Sequence, residues 1–302
     1  MPQAADSSAA GGDGRALTCA APGKLNLFLL ITGRRDDGYH TLQTLFRFID
    51  FGDTLEFRLR DDGEIRRSNP LAEVPAESDL TVRAARLLQR ETGCRLGVEI
   101  ALTKRLPMGG GLGGGSSDAA STLLALNRLW RIGLSRSRLQ ELALRLGADV
   151  PIFVYGRNAL AEGIGEQLYA VEMPPAWYLI LVPPVHVSTA AVFADRELTP
   201  TPSPVTIRAF SEGCVADWAP FKGLLGRNDL ERVVCGRADE VAHHLNWLRS
   251  FGPAALTGSG ACVFCPFESE SAAQGVLRQA PGSMRGFVAA GLPRHPLYDW
   301  AE

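Results

Sequence analysis

The chain has 302 residues, of which 46% are hydrophobic and 21% are charged, with a formal net charge of −2. This composition is ordinary for a globular enzyme of one large or two average domains, and the nearly neutral charge argues against nucleic acid or an anionic membrane as a partner. No apolar run approaches the roughly 20 residues of a membrane-spanning helix. We therefore expect neither a nucleic-acid partner nor a membrane association.

The first 17 residues are small and polar, without the positively charged start and apolar centre of a signal peptide. They predict a disordered tail over residues 1–17 and a cytoplasmic protein. The six cysteines are scattered, and only Cys262 and Cys265 have the CxxC spacing of a metal or redox site. Because the sequence has no second such pair and these two lie in an apolar, strand-like run, we interpret them as buried structural residues.

The first predicted elements are two strands with a helix between them. Apolar residues alternate around residues 55–59 and again around residues 98–102, which is typical of strands. Residues 78–93 instead have apolar positions at helical spacing. Ser78 is the predicted N-cap of this helix, and Gly93 is its predicted end.

Helical spacing recurs from Ser117 onward, and a further helix is predicted to begin at Ser135 or Ser137 and to run to Gly147. The apolar run at residues 177–182 predicts a buried strand.

Strands and helices follow one another without the uniform rhythm of a parallel α/β fold, which favours an α+β architecture in two lobes. We place an N-terminal domain at residues 18–165 and a smaller C-terminal domain at residues 166–302. Three prolines within residues 199–205 predict a surface loop in the second domain.

The most informative stretch is LPMGGGLGGGSSDAAS, residues 106–121, in which six glycines surround Leu112. Glycine has no Cβ and permits positive φ, so successive backbone N–H groups can converge on one anion. The helix predicted to follow adds unpaired N–H groups and a partial positive charge, and the serine hydroxyls can donate to phosphate oxygens or ligate Mg²⁺. The stretch therefore predicts a cradle for nucleotide phosphates, formed by Pro107, Met108, Gly109, Gly110, Gly111, Leu112, Gly113, Gly114, Gly115, Ser116 and Ser117.

A flexible glycine–serine linker is the alternative interpretation of this stretch. The patterned helix that follows at once and the stiff Leu106-Pro107-Met108 before it argue against a linker. The lysine of the P-loop pattern GxxxxGK[ST] is missing, so the cradle is not a P-loop. Asp118 is expected in the first helical turn, where a carboxylate suits the helix dipole and leaves phosphate binding undisturbed.

Another glycine cluster, at residues 256–261, precedes the apolar run VFC. Alone it fits a β-turn equally well. Beside a phosphate cradle it becomes a candidate second wall of the site.

Three segments together resemble the signature of the GHMP kinase superfamily, which includes galactokinase, homoserine kinase and mevalonate kinase: APGKLNLFL at 21–29, PMGGGLGGGSS at 107–117 and LTGSGACVF at 256–264. Within this superfamily, the chain is most similar to the branch that acts on 4-diphosphocytidyl-2-C-methyl-D-erythritol. Three stretches carry this similarity: KLNLFLLITGRRDDGYHTLQTLFRFIDFGD, KRLPMGGGLGGGSSDAA and LGADVPIFVYGRNALAEGIGE. The resemblance covers most of the chain. It implies a two-lobed α+β fold with the active site in the cleft.

The resemblance also implies a catalytic pair. Asp149 would be the base that accepts the proton of the substrate hydroxyl, and Lys24 would stabilise the ionised carboxylate and the developing alkoxide. From the residues alone, Asp149 before Val-Pro fits a turn equally well, and Lys24 fits a solvated strand end. Asn26 would share a strand face with Lys24 and could hold a substrate hydroxyl.

For the acceptor, the resemblance implies that Tyr39 stacks near a cytidine ring and that His40 hydrogen-bonds the cytosine edge. Phe193 would close an aromatic sandwich around that ring, with Thr189 beside it. From the residues alone, Gly-Tyr-His fits a simple turn with one aromatic side chain packed inward. Stacking contributes roughly 1–3 kcal/mol per base, enough to select a nucleotide-linked substrate.

The implied reaction is phosphoryl transfer from ATP, with Mg²⁺, to the 2-hydroxyl of the cytidyl substrate, in the non-mevalonate route to isoprenoids. The metal ligands stay open, and a monomer or weak homodimer is expected. A GHMP kinase acting on mevalonate, homoserine or a sugar is a rival, against which Tyr39, His40 and Phe193 argue because those substrates carry no base. A catalytically silent nucleotide-binding protein is a second rival, against which Lys24 and Asp149 argue.

Overall fold

Two β-sheets, each packed against helices, form the molecule. The structure, a computed structural model, describes residues 14–69, 74–75, 77–195, 198 and 223–302. The predicted α+β class is confirmed. Within these ranges, every helix is too short or too polar to cross a lipid bilayer.

The first sheet is organised by a long antiparallel hairpin of its first two strands. Its six strands are β1 (Ala16–Arg34), β2 (His40–Arg60), β3 (Ile65–Arg67), β4 (Gly97–Thr103), β5 (Ala159–Glu162) and β6 (Gln167–Ala170). Strand β2 pairs with β1 and also with β4 and β5, whereas β3 runs parallel to β4 and β6 pairs with β5. The strand order is β3-β4-β2-β5-β6, with β1 on β2.

Helices α1 (Leu80–Thr92) and α2 (Gly114–Leu129) pack on this sheet, and α3 (Arg136–Leu144) and α4 (Val150–Tyr155) pack against α2 and each other. Helix α1 ends at Gly93, which has φ +66°, as predicted. Its N-cap is Asp79 and not Ser78, because the Asp79 carboxylate accepts the backbone N–H of Thr81. Helix α3 has the predicted N-cap Ser135 and ends three residues before Gly147.

Helix α2 begins at Gly114, three residues before the predicted start. Glycine disfavours a helix interior, so the sequence pattern alone places Gly114 and Gly115 outside the helix. Glycine is better tolerated in the first turn, because the N–H groups there have no helical partner in any case.

The second sheet has the order β10-β7-β9-β8 and is antiparallel. Its strands are β7 (Trp177–Val182), β8 (Ala255–Leu256), β9 (Val263–Phe267) and β10 (Arg285–Ala290), and its helices are α5 (Thr189–Phe193), α6 (Glu231–Arg237), α7 (Asp239–Arg249) and α8 (Glu270–Leu277). The predicted strand at residues 177–182 is confirmed as β7. The predicted loop at residues 199–205 lies outside the described residues.

Three buried apolar clusters hold these layers together. One lies between the first sheet and its helices, and one between the second sheet and its helices. The third joins the two sheets and includes Leu25, Phe28 and Leu45 of the hairpin with Ile180 and Phe264 of the second sheet. The two lobes therefore share a hydrophobic layer, and the hairpin belongs to both.

The tail predicted over residues 1–17 is too long, because Ala16 and Leu17 already belong to β1 and pair with β2. Residues 1–13 lie outside the described part. The division at residue 165 stays a prediction; strand β6 follows it directly and still belongs to the first sheet. The chain also returns to the first lobe at its end, where Leu297 and Ala301 join that core.

Candidate active site

A cleft of about 1030 Å³ lies between the lobes. The hairpin, the glycine-rich stretch 107–116, the turn at Ala148 and Asp149, the second glycine cluster and α5 all line it. The structure therefore brings together the segments that the sequence singled out separately.

The glycine-rich stretch is a fixed loop and not a linker. Gly109, Gly111 and Gly113 have φ values of +67°, +78° and +73°. A Cβ on Gly111 would overlap the carbonyl oxygen of Thr257. The backbone N–H groups of Ala261 and Cys262 donate to the loop carbonyls of Gly109 and Gly110, at 3.2 and 3.1 Å. The second glycine cluster thus packs against the loop and forms the wall that we predicted.

The loop ends at the start of α2, where the sequence predicts the phosphate cradle. The first helical bond runs from Ser117 N–H to Gly113 O, so the N–H groups of Gly114, Gly115 and Ser116 precede the helical ladder. The N-cap Gly113 supplies no side-chain acceptor for them. All of these residues except Ser117 line the cleft, so these N–H groups and the helix dipole can bind phosphate oxygens.

Two members of the predicted cradle serve another purpose. Ser117 is fully buried, and its hydroxyl donates to Pro22 O at 2.7 Å. The prediction that its side chain faces a phosphate is therefore wrong. The Leu112 side chain is buried between the sheets, while its carbonyl accepts the backbone N–H of Lys24. Both residues anchor the loop to β1.

Lys24 lies in β1 between two register shifts of the hairpin, at Pro22/Lys24 and Asn26/Leu29. Such bulges turn side chains out of the regular alternation, here toward the cleft. Its side chain is 2% exposed, and Nζ lies 3.3 Å from Asp149 Oδ2. Lys24 is therefore a buried cation beside the cradle and not a solvated strand end.

Asp149 directly precedes α4, with Pro151 in the first turn of that helix. Its carboxylate makes no capping hydrogen bond to the helix, although it occupies the N-cap position. The side chain is 42% exposed and lines the cleft. The Asp149 carboxylate can therefore accept a hydrogen bond from a ligand in the cleft while it stays paired with the Lys24 ammonium.

Asn26 aligns the lysine. Its Oδ1 accepts a hydrogen bond from Lys24 Nζ at 2.6 Å, and its Nδ2 donates to Thr44 Oγ1 at 2.8 Å. The backbone N–H of Asn26 donates to Thr257 Oγ1. Thr44 and Thr257 therefore belong to the site. Sequence reasoning missed Thr44, whereas Thr257 lies in the glycine cluster that it singled out as a second wall. The predicted contact of Asn26 with a substrate hydroxyl stays a prediction.

The aromatic residues meet at the far end of the cleft. The rings of His40 and Phe193 lie 5.8 Å apart between centroids, tilted by 39°. Tyr39 is 61% exposed on the rim. The predicted neighbours are thus brought together, with His40 and not Tyr39 against Phe193. Burial, and next the charge of Arg34, lower the pKa of His40, which favours a neutral ring with one donor and one acceptor nitrogen.

Thr189 Oγ1 and Ser259 Oγ share a hydrogen bond of 2.7 Å. This bond fixes α5, and with it Phe193, to the second glycine cluster. Thr189 and Phe193 both line the cleft from α5, and a contact of Thr189 with the substrate stays a prediction.

The two CxxC cysteines are buried, as expected. Burial raises the pKa of each thiol to about 12, which disfavours the thiolate that metal binding needs. The described residues also contain no group of three or more His, Cys, Asp or Glu side chains that could bind a metal.

Comparison with known proteins identifies the family. The model of the GHMP kinases N terminal domain matches residues 79–157, and that of the GHMP kinases C terminal region matches residues 208–285. The chain is 58% identical over 289 residues to a 4-diphosphocytidyl-2-C-methyl-D-erythritol kinase of Nitrosospira multiformis, covering 95% of each chain. It is 59% identical over 280 residues to the enzyme of that name from Thiobacillus denitrificans, covering 93% of this chain and 97% of the relative.

Solved structures agree with this result. A 4-(cytidine 5'-diphospho)-2C-methyl-D-erythritol kinase is 33% identical, with a TM-score of 0.74 over 91% of this chain and 99% of that one. A homoserine kinase from Cytophaga hutchinsonii has a TM-score of 0.63 at 18% identity, over 94% of this chain and 97% of that one, and shows the fold alone. The chain belongs to the GHMP kinase family, in the group of the 4-diphosphocytidyl-2-C-methyl-D-erythritol kinases, and is a small-molecule kinase.

Proposed function

We propose that this chain transfers the γ-phosphoryl group of ATP to the 2-hydroxyl of 4-diphosphocytidyl-2-C-methyl-D-erythritol and releases ADP. The reaction is a step of the non-mevalonate route to isoprenoid precursors. The observation that carries the chemistry is the Lys24–Asp149 pair, 3.3 Å apart, beside the start of α2. The names and near-complete coverage of the relatives support the acceptor.

The donor end of the cleft fits a triphosphate. The N–H groups of Gly114, Gly115 and Ser116 and the α2 dipole stabilise negative charge that grows on the transferring group. The fixed loop supplies these dipoles without reorganisation, because positive φ values and the contact with Thr257 hold it in place.

Asp149 accepts the proton of the acceptor hydroxyl as its oxygen bonds to the γ-phosphorus. The bond from that phosphorus to the β–γ bridging oxygen breaks at the same time, and ADP leaves. Lys24 stabilises both the ionised carboxylate and the alkoxide character of the attacking oxygen. Asn26 keeps the Lys24 ammonium in place throughout.

Mg²⁺ fits this site chiefly as part of the nucleotide complex. The described residues contain no group of three or more His, Cys, Asp or Glu side chains that could hold the ion, and Mg²⁺ in such sites is usually bound through substrate phosphates and one or two carboxylates. When bound, the ion neutralises phosphate charge and fixes phosphate orientation.

The aromatic end fits a pyrimidine base. A neutral His40 can donate and accept at the base edge, and Phe193 offers a ring face. Tyr39 on the rim could cover the opposite face once the base is bound.

A panel of acceptors tests this proposal. The purified protein with MgATP is offered the cytidyl substrate, mevalonate, homoserine and a hexose, and ADP release is followed in a coupled assay. We expect turnover with the cytidyl substrate alone. If the protein phosphorylated mevalonate, homoserine or the hexose but not the cytidyl substrate, the proposed acceptor would be wrong. If no acceptor in the panel led to ADP release, the proposed reaction would be wrong.

A further inference from the structure

A buried cluster of charged side chains adjoins the phosphate cradle. Lys104 follows β4, Asp53 lies in β2, and Asp118 lies in the second turn of α2. Lys104 Nζ is 2.5 Å from Asp53 Oδ2 and 2.8 Å from Asp118 Oδ2. The exposed fractions of the three side chains are 18%, 0% and 4% in that order. The expectation that Asp118 lies in the first helical turn is therefore wrong, because α2 begins at Gly114 and Asp118 is its fifth residue.

The Lys104 ammonium lies against the first residue of α2. A Cβ on Gly114 would be 3.0 Å from Nζ, and Lys104 lines the cleft. An ammonium has three N–H donors, of which two serve the carboxylates and one is left for a ligand. The sequence has 31 Lys and Arg residues, of which three are lysines. Both lysines among the described residues, Lys24 and Lys104, line the cleft.

The two carboxylates have different surroundings. Asp53 Oδ1 accepts the backbone N–H groups of Arg105 and Leu106, at 2.6 and 2.8 Å, so Asp53 anchors the chain ahead of the glycine loop. Asp118 Oδ1 is buried and finds no hydrogen-bond partner among the described residues. Asp118 also lines the cleft. Its other oxygen accepts a hydrogen bond from Lys104 Nζ, and the Asp53 carboxylate also interacts with the Asp118 side chain.

We propose that Asp118 is a positioning residue for ATP: it holds the Lys104 ammonium at the first residue of α2, where Lys104 donates its remaining N–H to a phosphate oxygen. The inference rests on the proposed function only in taking ATP as the donor. It assigns a second cation to the phosphate site, on the side of the cradle formed by the segment after β4.

This placement couples ATP binding to a proton. Burial raises the pKa of Asp118 to about 7, Lys104 opposes that rise and Asp53 adds to it. The Cys19 thiol of β1, whose own pKa is raised by burial and by Asp118, also faces this group. Phosphates that arrive beside the cluster disfavour a second carboxylate charge, so binding near pH 7 draws a proton onto Asp118.

Direct binding of the ATP analogue AMPPNP with Mg²⁺, measured by calorimetry from pH 6 to 8.5 without any acceptor, tests the inference. The variants are Asp118→Ala and Asp118→Asn. Ser121→Ala is the control in the same helix, since its hydroxyl makes only a long bond of 3.4 Å to Ala20 O. Titration at pH 7 in buffers of different ionisation enthalpy gives the number of protons taken up.

We expect D118A to weaken binding about tenfold and S121A to bind like the wild type. D118N keeps an acceptor oxygen for Lys104, so it should bind within roughly threefold of the wild type at pH 6.5. It should also lack the proton uptake and the loss of affinity with rising pH that the wild type shows. The titration of the nucleotide is common to all the proteins and cancels in the comparison.

Wild-type affinity in D118A, or D118N binding as weakly as D118A, would overturn the positioning role. Proton uptake that persists in D118N would overturn the coupling. Because no acceptor is present, these outcomes are independent of the acceptor panel. A different alcohol substrate would leave the binding results unchanged.

Discussion

Burial and charge oppose each other at Lys24. An ammonium that is 2% exposed loses most of its hydration, which costs several kcal/mol unless other groups replace the water. Three groups replace the lost water around Lys24 Nζ: Asn26 Oδ1, Asp149 Oδ2 and the ring face of Phe46, whose centroid is 5.4 Å away. These contacts fix the cation toward the carboxylate, the arrangement that the proposed proton transfer needs.

Asp149→Asn tests the base. The amide keeps the size of the side chain but cannot take the proton, so kcat should fall by about 10²–10⁴. Binding of AMPPNP should stay within a few-fold of the wild type, because the cradle is formed by other residues. The measurement is coupled ADP release with the cytidyl substrate, together with calorimetry.

Asp299→Asn is the control for this variant, since Asp299 is an exposed carboxylate that pairs with Arg294 outside the cleft. It should turn over like the wild type. If Asp149→Asn also kept wild-type turnover, Asp149 would not be the base.

At the residue scale, local pattern predicted caps and not partners. Gly93 and Ser135 end and begin helices as their types suggest, because capping depends on the nearest few residues. The contacts Lys24–Asp149 and Lys104–Asp53 join residues far apart in the chain, and no periodicity within either segment reveals them. The first pair could be predicted only through the family resemblance, and the second was missed.

At the scale of elements, the glycine loop and α2 act as one unit. The loop carbonyls of Gly109 and Gly110 accept hydrogen bonds from the second glycine cluster, while the first N–H groups of α2 find no side-chain cap at Gly113. Composition alone predicted the cradle, since a run of glycine before a patterned helix has few other uses. The position of the helix start was not predictable, because propensity places glycine outside helices and tertiary contacts decided otherwise.

Gly111→Ala tests this unit. The residue has φ +78°, and a Cβ would overlap Thr257 O, so the loop must shift. We expect a loss of about 1–3 kcal/mol in the free energy of unfolding, the usual cost of backbone strain, and at least tenfold weaker AMPPNP binding. Urea unfolding and calorimetry measure the two effects.

Gly115→Ala is the matched control in the same stretch. Its position is helical, and the nearest atom to a new Cβ is Leu80 Cδ1 at 3.4 Å. Alanine there should leave stability unchanged or slightly raised. If both substitutions lowered the free energy of unfolding equally, the positive φ of the loop would not be the reason that position 111 requires glycine.

For the whole molecule, the return of the chain to the first lobe places His295 in that core. Its ring contacts Phe48 of β2 and Phe153 of α4, and its Nδ1 accepts the backbone N–H of Leu297 at 3.0 Å. Burial, and next the charge of Arg136, lower the pKa of His295 to about 3. The fold therefore requires the neutral ring.

The stability of the protein should fall in acid for this reason. Above the ordinary histidine pKa of about 6.5 both states are neutral and the contribution is complete. As the pH falls from 6.5 toward 3, the unfolded chain binds a proton that the folded state refuses, which costs about 1.4 kcal/mol per pH unit. Below pH 3 the loss is complete.

His295→Asn isolates this effect, because its Oδ1 can still accept the Leu297 N–H. Urea unfolding at pH 7.5 and 5.5 should show a loss for the wild type that exceeds the loss for the variant by about 1.4 kcal/mol. Asp118 titrates in both proteins and cancels. Equal losses in the two proteins would mean that His295 accepts a proton in the folded state.

The hydrophobic layer that joins the two sheets also restricts how substrates enter. A hinge rotation between the lobes would separate Leu25 and Phe28 of the hairpin from Ile180 and Phe264. The apolar surface that it exposed would cost about 25 cal/mol of free energy per Å². Opening of the cleft should therefore depend on its rim, at the turn before His40 and at α5, and not on a clamshell motion. Product release would then leave the lobes still and require only that the aromatic end part.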